Sequence, residues 1–309
     1  MIFLYIVVSL ILLVELFEFI YKNSSRYKST LGGADRFKNV PDGIDICNIG
    51  SGPGLYAITY DDCKLKGFNF STAPQNYKYG FRLLKRFHNK INDHAIIIII
   101  IMCPLSFGAN NDYDRKDYSD KFYGILQPKD IDNYSLKRAL ITSHPLSMHL
   151  LKKLKGILIK RKAVVNVDVA KTYVPPVVET WKREFDLKDL EDSSQAIKHQ
   201  DAFKEKISIL QDGLNYCYAN NWRPVLVTPP IPQVTRSYIG TEFINEFVYK
   251  NVDVLLKNNS ALKYINYFDE KLPDFYFAND IFMNREGQEY FSKMLFEKIN
   301  EEIGEYPTI

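Results

Sequence analysis

The sequence predicts an α/β fold: a three-layer α/β/α sandwich with a mainly parallel sheet, preceded by one apolar helix. Three observations support this prediction. The chain begins with an apolar stretch, four later runs are short and rich in β-branched residues, and amphipathic helical patterns separate those runs. Continuous apolar runs suit strands that are buried on both faces of a parallel sheet, and alternating strands and helices are typical of doubly wound folds.

The first segment, from Met1 to Ile20, is apolar except for Ser9, Glu15 and Glu18. A helix of about 20 residues spans the roughly 30 Å hydrocarbon core of a bilayer. A cleaved signal peptide would carry basic residues before the apolar run and a small-residue cleavage site after it, and neither is found. We therefore predict a membrane anchor at residues 1–21 that contacts lipid through residues 1–20. A buried core helix is the alternative.

A polar segment at residues 22–41 predicts a short tether, and the folded domain is expected at residues 42–309. The four predicted strands are Ile44–Ile49, His94–Cys103, Pro224–Thr228 and Tyr264–Phe268. Helical patterns lie at Tyr79–Ile91, Phe203–Leu214 and Phe243–Leu256, and a last one follows Gly287. Residues 109–194 fit this alternation poorly, so we predict an irregular or helical insertion there.

The charge and cysteine content exclude several classes of protein. The 309 residues include 40 Lys and Arg against 37 Asp and Glu, a net charge of +3, so no positive excess favours a nucleic-acid partner. The four cysteines are widely spaced and lack CxxC or Cys/His spacing: Cys47, Cys63, Cys103 and Cys217. We therefore predict no nucleic-acid binding, no metal site and no disulfide framework.

A glycine-rich segment, Asn48–Gly54, reads NIGSGPG and directly follows the first predicted strand. Taken alone, it resembles motif I of Rossmann-type methyltransferases, whose GxGxG turn surrounds S-adenosylmethionine, and Gly67–Ser71 resembles their second strand. The two positions that are acidic in those enzymes are Asn48 and Asn69 here. A methyltransferase that uses S-adenosylmethionine is therefore one alternative.

Five blocks in order carry a second resemblance. They are NIGSGPGLYAI, GFNFSTAPQ, the isoleucine strand ending in MCPLSFG, VLVTPPI and NDIFMNREGQEYFS. From about Ile44 to Ile303 they resemble the SGNH (GDSL-type) esterase and acyltransferase superfamily. The last block is the most specific, because many members read D-x-x-H-x-N-x-x-G there, and Asn284 and Gly287 hold its N and G. The resemblance implies an SGNH-like, flavodoxin-like domain that needs no cofactor.

The catalytic places of that superfamily are occupied by other residue types. Its members use a serine nucleophile, a histidine base and an aspartate that orients the imidazole. In this sequence the serine place is Gly52, the histidine place is Phe282 and the aspartate place is Asn279. The resemblance therefore implies a chain in which all three catalytic places are lost.

Ser51 is the candidate nucleophile beside the serine place, and a shift of one residue would also bring Asp280 into play. No shift supplies an imidazole, so a base would have to come from one of five distant histidines: His88, His94, His144, His149 and His199. The resemblance further implies a binding role for seven positions, namely Gly50, Gly52, Gly67, Asn69, Ser106, Asp280 and Asn284.

The resemblance and its departures together predict a function. We expect a membrane-anchored protein of cell-surface polysaccharide modification that lacks catalysis and binds a surface glycan or a membrane-bound acyltransferase. Anchored members of the superfamily include the D-alanyl transfer protein of teichoic acid modification and the acetylation proteins of alginate synthesis. An active esterase or O-acyltransferase that uses Ser51 is the alternative. The same resemblance predicts an extracytoplasmic domain, whereas Lys22, Arg26 and Lys28 favour the cytoplasm by the positive-inside rule.

Overall fold

A computed structural model describes residues 1–101, 104–109, 116–150 and 175–304, and the chain divides into two compact units. The sheet unit comprises Asn39–Asp114 and Val174–Ile309, and the helical unit comprises Met1–Lys38 and Arg115–Tyr173. The insertion predicted at residues 109–194 is therefore divided between the two units. The predicted limits of anchor, tether and domain stay a prediction.

Five strands form the sheet of the sheet unit: β1 (Ile44–Ile49), β2 (Gly67–Asn69), β3 (Ile91–Ile100), β4 (Arg223–Thr228) and β5 (Lys263–Asn266). Their order is β2-β1-β3-β4-β5, and every neighbouring pair is parallel. With helices around this parallel sheet, the predicted α/β fold is confirmed. The methyltransferase alternative predicts an antiparallel last strand, whereas β5, the last strand of the described residues, runs parallel to β4.

The helices of the described residues are α1 (Ile2–Asn23), α2 (Ser25–Thr30), α3 (Gly52–Ala57), α4 (Tyr77–Arg86), α5 (Leu136–Ser143), α6 (Pro176–Glu184), α7 (Gln200–Ala219), α8 (Gln233–Arg236), α9 (Thr241–Ile244), α10 (Lys250–Asn258) and α11 (Arg285–Ile303). Residues 145–150 are also helical, and a π-helix at Asn245–Tyr249 joins α9 to α10. Short 3-10 helices lie at Ala34–Asn39, His88–Lys90, Lys116–Phe122, Pro128–Asp130, Ser193–His199 and Asp274–Tyr276.

The isoleucine run of β3 is buried on both faces of the sheet. Successive side chains of a strand point to opposite faces. Ile96 and Ile98 pack in one cluster with Phe291 and Leu295 of α11, and Ile97 between them is also fully buried. This arrangement explains why the strand is continuously apolar. Because all five strands are parallel, their carboxyl ends lie at one edge of the sheet. In open parallel sheets ligands bind at that edge, near the point where the strand order reverses, which here lies between β1 and β3.

In the helical unit, α1 is mostly exposed and, by length and composition, can span a membrane; its most apolar 18-residue window has a mean hydropathy of 2.5. It is the one such helix in the described part of the chain. Ser24 ends α1, and its Oγ accepts a hydrogen bond from Tyr27 N at 3.2 Å, which starts α2. The segment predicted as a tether therefore contains α2 and the 3-10 helix Ala34–Asn39.

Candidate functional site

The glycine-rich loop turns the chain from β1 into α3 at the carboxyl edge of the sheet. Gly50 N donates a hydrogen bond to Gln75 Oε1 at 2.9 Å. A Cβ on Gly50 would lie 2.7 Å from Ile100 Cβ, so the loop passes too close to β3 for a side chain. Pro53 lies in the first turn of α3, where a missing N–H costs no helical hydrogen bond. Gly50 thus has a packing function, and its predicted binding role stays a prediction.

Ser51 is half-buried and directly precedes α3. Its Oγ accepts a hydrogen bond from Gln75 N at 3.2 Å. Two histidine rings of the sheet unit are bonded elsewhere: His199 Nδ1 accepts a hydrogen bond from Ala109 N at 2.9 Å, and His88 Nδ1 lies 3.3 Å from Tyr216 Oη. Among the described residues of this unit, no imidazole hydrogen-bonds Ser51 Oγ. No imidazole of these described residues is therefore in place to take the proton of this hydroxyl.

Asn48 is fully buried in β1 and ties the loop to β2. Its Nδ2 lies within hydrogen-bond distance of Gly54 O (3.1 Å), Asn69 Oδ1 (3.0 Å) and Ser71 Oγ (2.7 Å). Its Oδ1 accepts a hydrogen bond from Tyr60 Oη at 2.9 Å. A carboxylate has no N–H to donate, so an aspartate here would set a charged oxygen against Gly54 O and Asn69 Oδ1, two acceptors that cannot donate to it. This requirement explains why position 48 is an amide and not the acid of the methyltransferase motif.

Asn69 stands where a methyltransferase would hold the ribose of its cofactor. Its Nδ2 donates to Gly54 O at 2.9 Å, and its Oδ1 accepts from Ser71 N at 2.9 Å. The amide is therefore engaged within the loop network. Among the described residues, no group of three or more His, Cys, Asp or Glu side chains is placed to hold a metal ion.

The last block of the resemblance begins with a hairpin. Phe277 and Met283 form an isolated antiparallel bridge. At the tip, Asn279 Oδ1 accepts hydrogen bonds from the backbone N–H groups of Ile281 (3.0 Å) and Phe282 (2.8 Å). The carboxamide at the aspartate place of the family therefore closes a turn, a common function of asparagine.

Asp280 follows at the same tip and is half-buried. Its Oδ2 accepts a hydrogen bond from Val177 N in α6 at 2.8 Å, and its carbonyl oxygen accepts one from Thr235 Oγ1 at 2.6 Å. The carboxylate of Asp280 thus bonds α6 to the hairpin, and its backbone carbonyl bonds α8. Its predicted binding role stays a prediction.

Phe282 occupies the histidine place of the resemblance. A Cβ on Gly52 would lie 2.7 Å from both Cε1 and Cζ of Phe282, so the ring lies directly against the glycine at the nucleophile place. The ring centroids of Tyr56 and Phe282 are 4.7 Å apart at an interplanar angle of 44°. The structure therefore brings the glycine loop and the hairpin together. A phenyl ring, however, can neither take nor give a proton.

Asn284 and Gly287, the two residues that match the most specific block, begin α11. Asn284 Oδ1 accepts a hydrogen bond from Gly287 N at 2.9 Å, as a helix N-cap does. A Cβ on Gly287 would lie 2.1 Å from Tyr276 O, so only glycine allows this close approach of helix and hairpin. Both residues are explained by folding, and the predicted binding role of Asn284 stays a prediction.

Gly67 and Ser106 are two further positions with a predicted binding role. Gly67 begins β2 and packs against Tyr60, because a Cβ there would lie 2.2 Å from the Tyr60 ring. Ser106 is half-buried in the loop 104–109 that follows β3. The binding roles of both residues stay predictions.

His199 holds that same loop, a function that the sequence did not predict. Its Nδ1 accepts the hydrogen bond from Ala109 N, which requires an unprotonated Nδ1. The imidazole is buried against the rings of Phe203 and Phe247, at centroid distances of 6.2 and 5.1 Å. Burial, followed by the charge of Lys198, lowers the pKa of His199 below its usual 6.5. The ring is therefore held neutral.

A row of aromatic side chains continues along the hairpin and α11. We name Phe275, Tyr276 and Tyr290 the aromatic strip. The ring centroids of Phe275 and Tyr276 are 4.4 Å apart, and Tyr276 stacks on Tyr290 at 4.9 Å and 16°. Phe275 is 64% exposed and Tyr290 is 45% exposed. The strip is an apolar surface with hydroxyl groups at its edges, which the sequence pattern did not reveal.

A cavity of about 640 Å³ opens between the loop 59–65 and α11. Its floor includes Ile46, Ile96 and Phe296, and its rim includes Lys293 and Tyr290 of the aromatic strip. The volume lies in the range of small-molecule pockets. The aromatic strip and this cavity thus meet at Tyr290.

No protein-family model and no curated protein matches the sequence. Among the similar solved structures are two that share 10% identity with this chain. One is a Streptococcus pneumonia protein provisionally named a platelet activating factor, with a TM-score of 0.43 over 94% of this chain and 99% of that chain. The other is a Bacteroides fragilis protein provisionally named an acylhydrolase, with a TM-score of 0.40 over 92% and 98%. Because both the identity and the TM-scores are this low, the fold assignment rests on the strand order and register of this chain itself.

Proposed function

We propose that the chain binds a carbohydrate at the carboxyl edge of its sheet, without hydrolysing an ester there, in the modification of cell-surface polysaccharides. One observation carries the proposal: the Phe282 ring lies against Gly52. An esterase of the SGNH type would need an imidazole beside a serine hydroxyl at these two places. Because a hydroxyl without a base is a poor nucleophile, binding accounts for this geometry better than acyl transfer does.

Two features support a carbohydrate as the ligand. Tyr56, which is 38% exposed, and the aromatic strip offer ring faces on which a sugar ring can stack, and tyrosine hydroxyls can bond its hydroxyl groups. Asn279 is exposed, and its Oδ1 is engaged by two backbone N–H groups. Its Nδ2 has no partner among the described residues and remains a donor for a ligand.

In this proposal α1 keeps the chain at the membrane, and a membrane-bound acyltransferase is its partner. The sheet unit is proposed to lie outside the cytoplasm. Ile197→Cys offers a test, because this side chain is 77% exposed in the sheet unit. In a background without the four native cysteines, a membrane-impermeant thiol reagent should label it in intact cells. Protection in intact cells that is lost on lysis would contradict the proposed side.

Carbohydrate binding can be tested with the full-length chain in detergent micelles on a glycan array. The array should carry alginates and teichoic acids with and without O-acyl groups. We expect Tyr56→Ala and Tyr290→Ala to weaken binding about tenfold or more, a loss of about 1.4 kcal/mol. Tyr216→Ala is the matched control, because Tyr216 packs on Trp222 at the amino end of β4. No binding, or an equal loss in the control, would contradict the proposal.

Acyl hydrolysis or transfer by Ser51 is the second candidate. One observation favours it: Ser51 Oγ accepts its hydrogen bond from Gln75 N, which leaves the hydroxyl proton available to a base. Hydrolysis of p-nitrophenyl acetate separates the candidates. We expect the full-length chain and Ser51→Ala to show the same background rate. A rate above background that is lost in Ser51→Ala and kept in Tyr56→Ala would establish the second candidate.

A further inference from the structure

The helical unit has a second apolar surface besides α1. Leu136 and Leu140, one turn apart on α5, are 75% and 65% exposed. Of the two charged side chains of this helix, Lys137 is exposed beside Leu136, whereas Arg138 is half-buried and forms an ion pair with Asp120 at 2.6 Å. A helix on an aqueous surface exposes its polar side and buries its apolar side. The leucines of α5 therefore have the arrangement of a helix that faces an apolar medium.

The link between α5 and the helical residues 145–150 is bonded to two carboxylates of α1. His144 Nε2 lies 3.0 Å from Glu15 Oε1. Glu18 is 1% exposed, and its two oxygens accept hydrogen bonds from Leu146 N (3.0 Å) and Ser147 N (2.6 Å). Both oxygens of Glu18 thus have a donor, and the carboxylate is shielded from the surroundings of α1.

The positions of Glu15 and Glu18 along α1 determine how deep their carboxylates lie in a bilayer that α1 spans. Lys22 is the first basic residue after the apolar stretch and marks the headgroup layer once α1 spans a bilayer. At about 1.5 Å per residue, Glu18 and Glu15 lie about 6 Å and about 10 Å from Lys22 toward the hydrocarbon. Carboxylates at that depth need internal donors, because acyl chains offer none. Residues 144–147 supply those donors and therefore lie at the same depth.

We propose that residues 136–150 form an interfacial helix pair, which lies at the boundary of headgroups and acyl chains and inserts Leu136 and Leu140 among the acyl chains. The occupant of the leucine face is lipid, because α5 leads directly into residues 144–147, which are bonded to Glu15 and Glu18 at this depth. The pair covers the carboxylate of Glu18, bonds the half-exposed carboxylate of Glu15 through His144, and adds a second membrane contact. The inference rests on α1 as a membrane anchor and is independent of the carbohydrate site.

The test uses tryptophan fluorescence of the full-length chain in phosphatidylcholine vesicles with acyl chains brominated in part. The two native tryptophans, Trp181 and Trp222, are 4% and 2% exposed in the sheet unit and give a background to subtract. The probes are Leu136→Trp and Leu140→Trp. The lipid reference is Leu10→Trp in α1, and the aqueous reference is Lys129→Trp in an exposed turn. We expect both probes to lose about half of their added emission, as the lipid reference does, and the aqueous reference to lose none.

The controls separate the possible failures. Probes that are quenched no more than Lys129→Trp, beside a quenched Leu10→Trp, would overturn the inference and leave the anchor in place. An unquenched Leu10→Trp would remove the anchor and the inference together, while the glycan array remains a separate readout. In a Glu18→Ala background, the quenching of Leu136→Trp should fall to that of the aqueous reference, because two backbone donors lose their acceptor. Unchanged quenching there would overturn the role of Glu18 in holding the pair.

Discussion

Gly52→Ala tests the contact between the glycine loop and the Phe282 ring. The added Cβ would lie 2.7 Å from two ring carbons, whereas ordinary contacts are 3.4–4 Å, so the ring must retreat by about 1 Å. Overpacking of this kind costs about 1–3 kcal/mol of stability. Gly52 has no positive φ, so the backbone itself accepts alanine, and the cost comes from the ring alone.

The sign of the effect should reverse once the ring is removed. In a Phe282→Ala background the clash is gone, and alanine at the start of α3 should be neutral or stabilising by about 0.5 kcal/mol, because it restricts the unfolded chain. The double-mutant cycle should therefore give a coupling energy of about 1–3.5 kcal/mol between positions 52 and 282. Two distant, independent positions would give a value near zero.

Urea unfolding of the full-length chain in detergent micelles measures this cycle. Trp181 and Trp222 both belong to the sheet unit and are buried, so their fluorescence reports the unfolding of that unit. The free energy of unfolding of Gly52→Ala should fall in the native background and not in the Phe282→Ala background. Additive effects of the two substitutions would refute the contact and, with it, the observation on which the proposed function depends.

Three further outcomes are expected from the same unfolding measurement. Asn48→Asp should cost about 3 kcal/mol, because a buried carboxylate replaces the donor to three oxygens; a loss under about 1 kcal/mol would contradict this network. Stability should fall as the pH drops below 6.5, because the unfolded chain protonates His199 before the folded chain does, and this contribution is complete above pH 6.5. His199→Gln should flatten that part of the profile, and an unchanged slope would exclude His199 as its cause. Gly287→Ala should cost at least about 2 kcal/mol against the backbone oxygen of Tyr276, whereas the exposed neighbour Glu286→Ala should change little; equal effects would contradict the close approach.

The sequence predicts strands well where an apolar run is bounded by turn residues. β1 is predicted and observed at Ile44–Ile49, because Gly43 precedes the run and Gly50 ends it. β3 is predicted at His94–Cys103 and observed at Ile91–Ile100. Its early residues 92–94 are exposed and polar, so they carry no apolar signal, and residues 102 and 103 lie outside the described residues. β2 has three half-buried residues, too few to show a period.

The contacts of the site are harder to predict because they join distant parts of the chain. The sequence shows that the serine, histidine and aspartate places are occupied by Gly52, Phe282 and Asn279. It cannot show that the phenyl ring packs on the glycine or that the amide closes a turn, since both depend on how the hairpin meets α3. The bond between His199 and Ala109 has the same origin. Local patterns specify elements, whereas these contacts follow from tertiary packing.

The residues that match the family pattern and the residues that depart from it have different physical functions. Asn284 caps α11 and Gly287 lets that helix approach Tyr276 O, so any chain that folds this hairpin against this helix needs both, with or without catalysis. Gly52 and Phe282 stand where only chemistry would require a serine and a histidine. Evidence for the fold and evidence for catalysis therefore rest on separate residues. The match at Asn284 and Gly287 supports the architecture. Only the geometry at Gly52 and Phe282 bears on whether the site catalyses a reaction or binds a ligand.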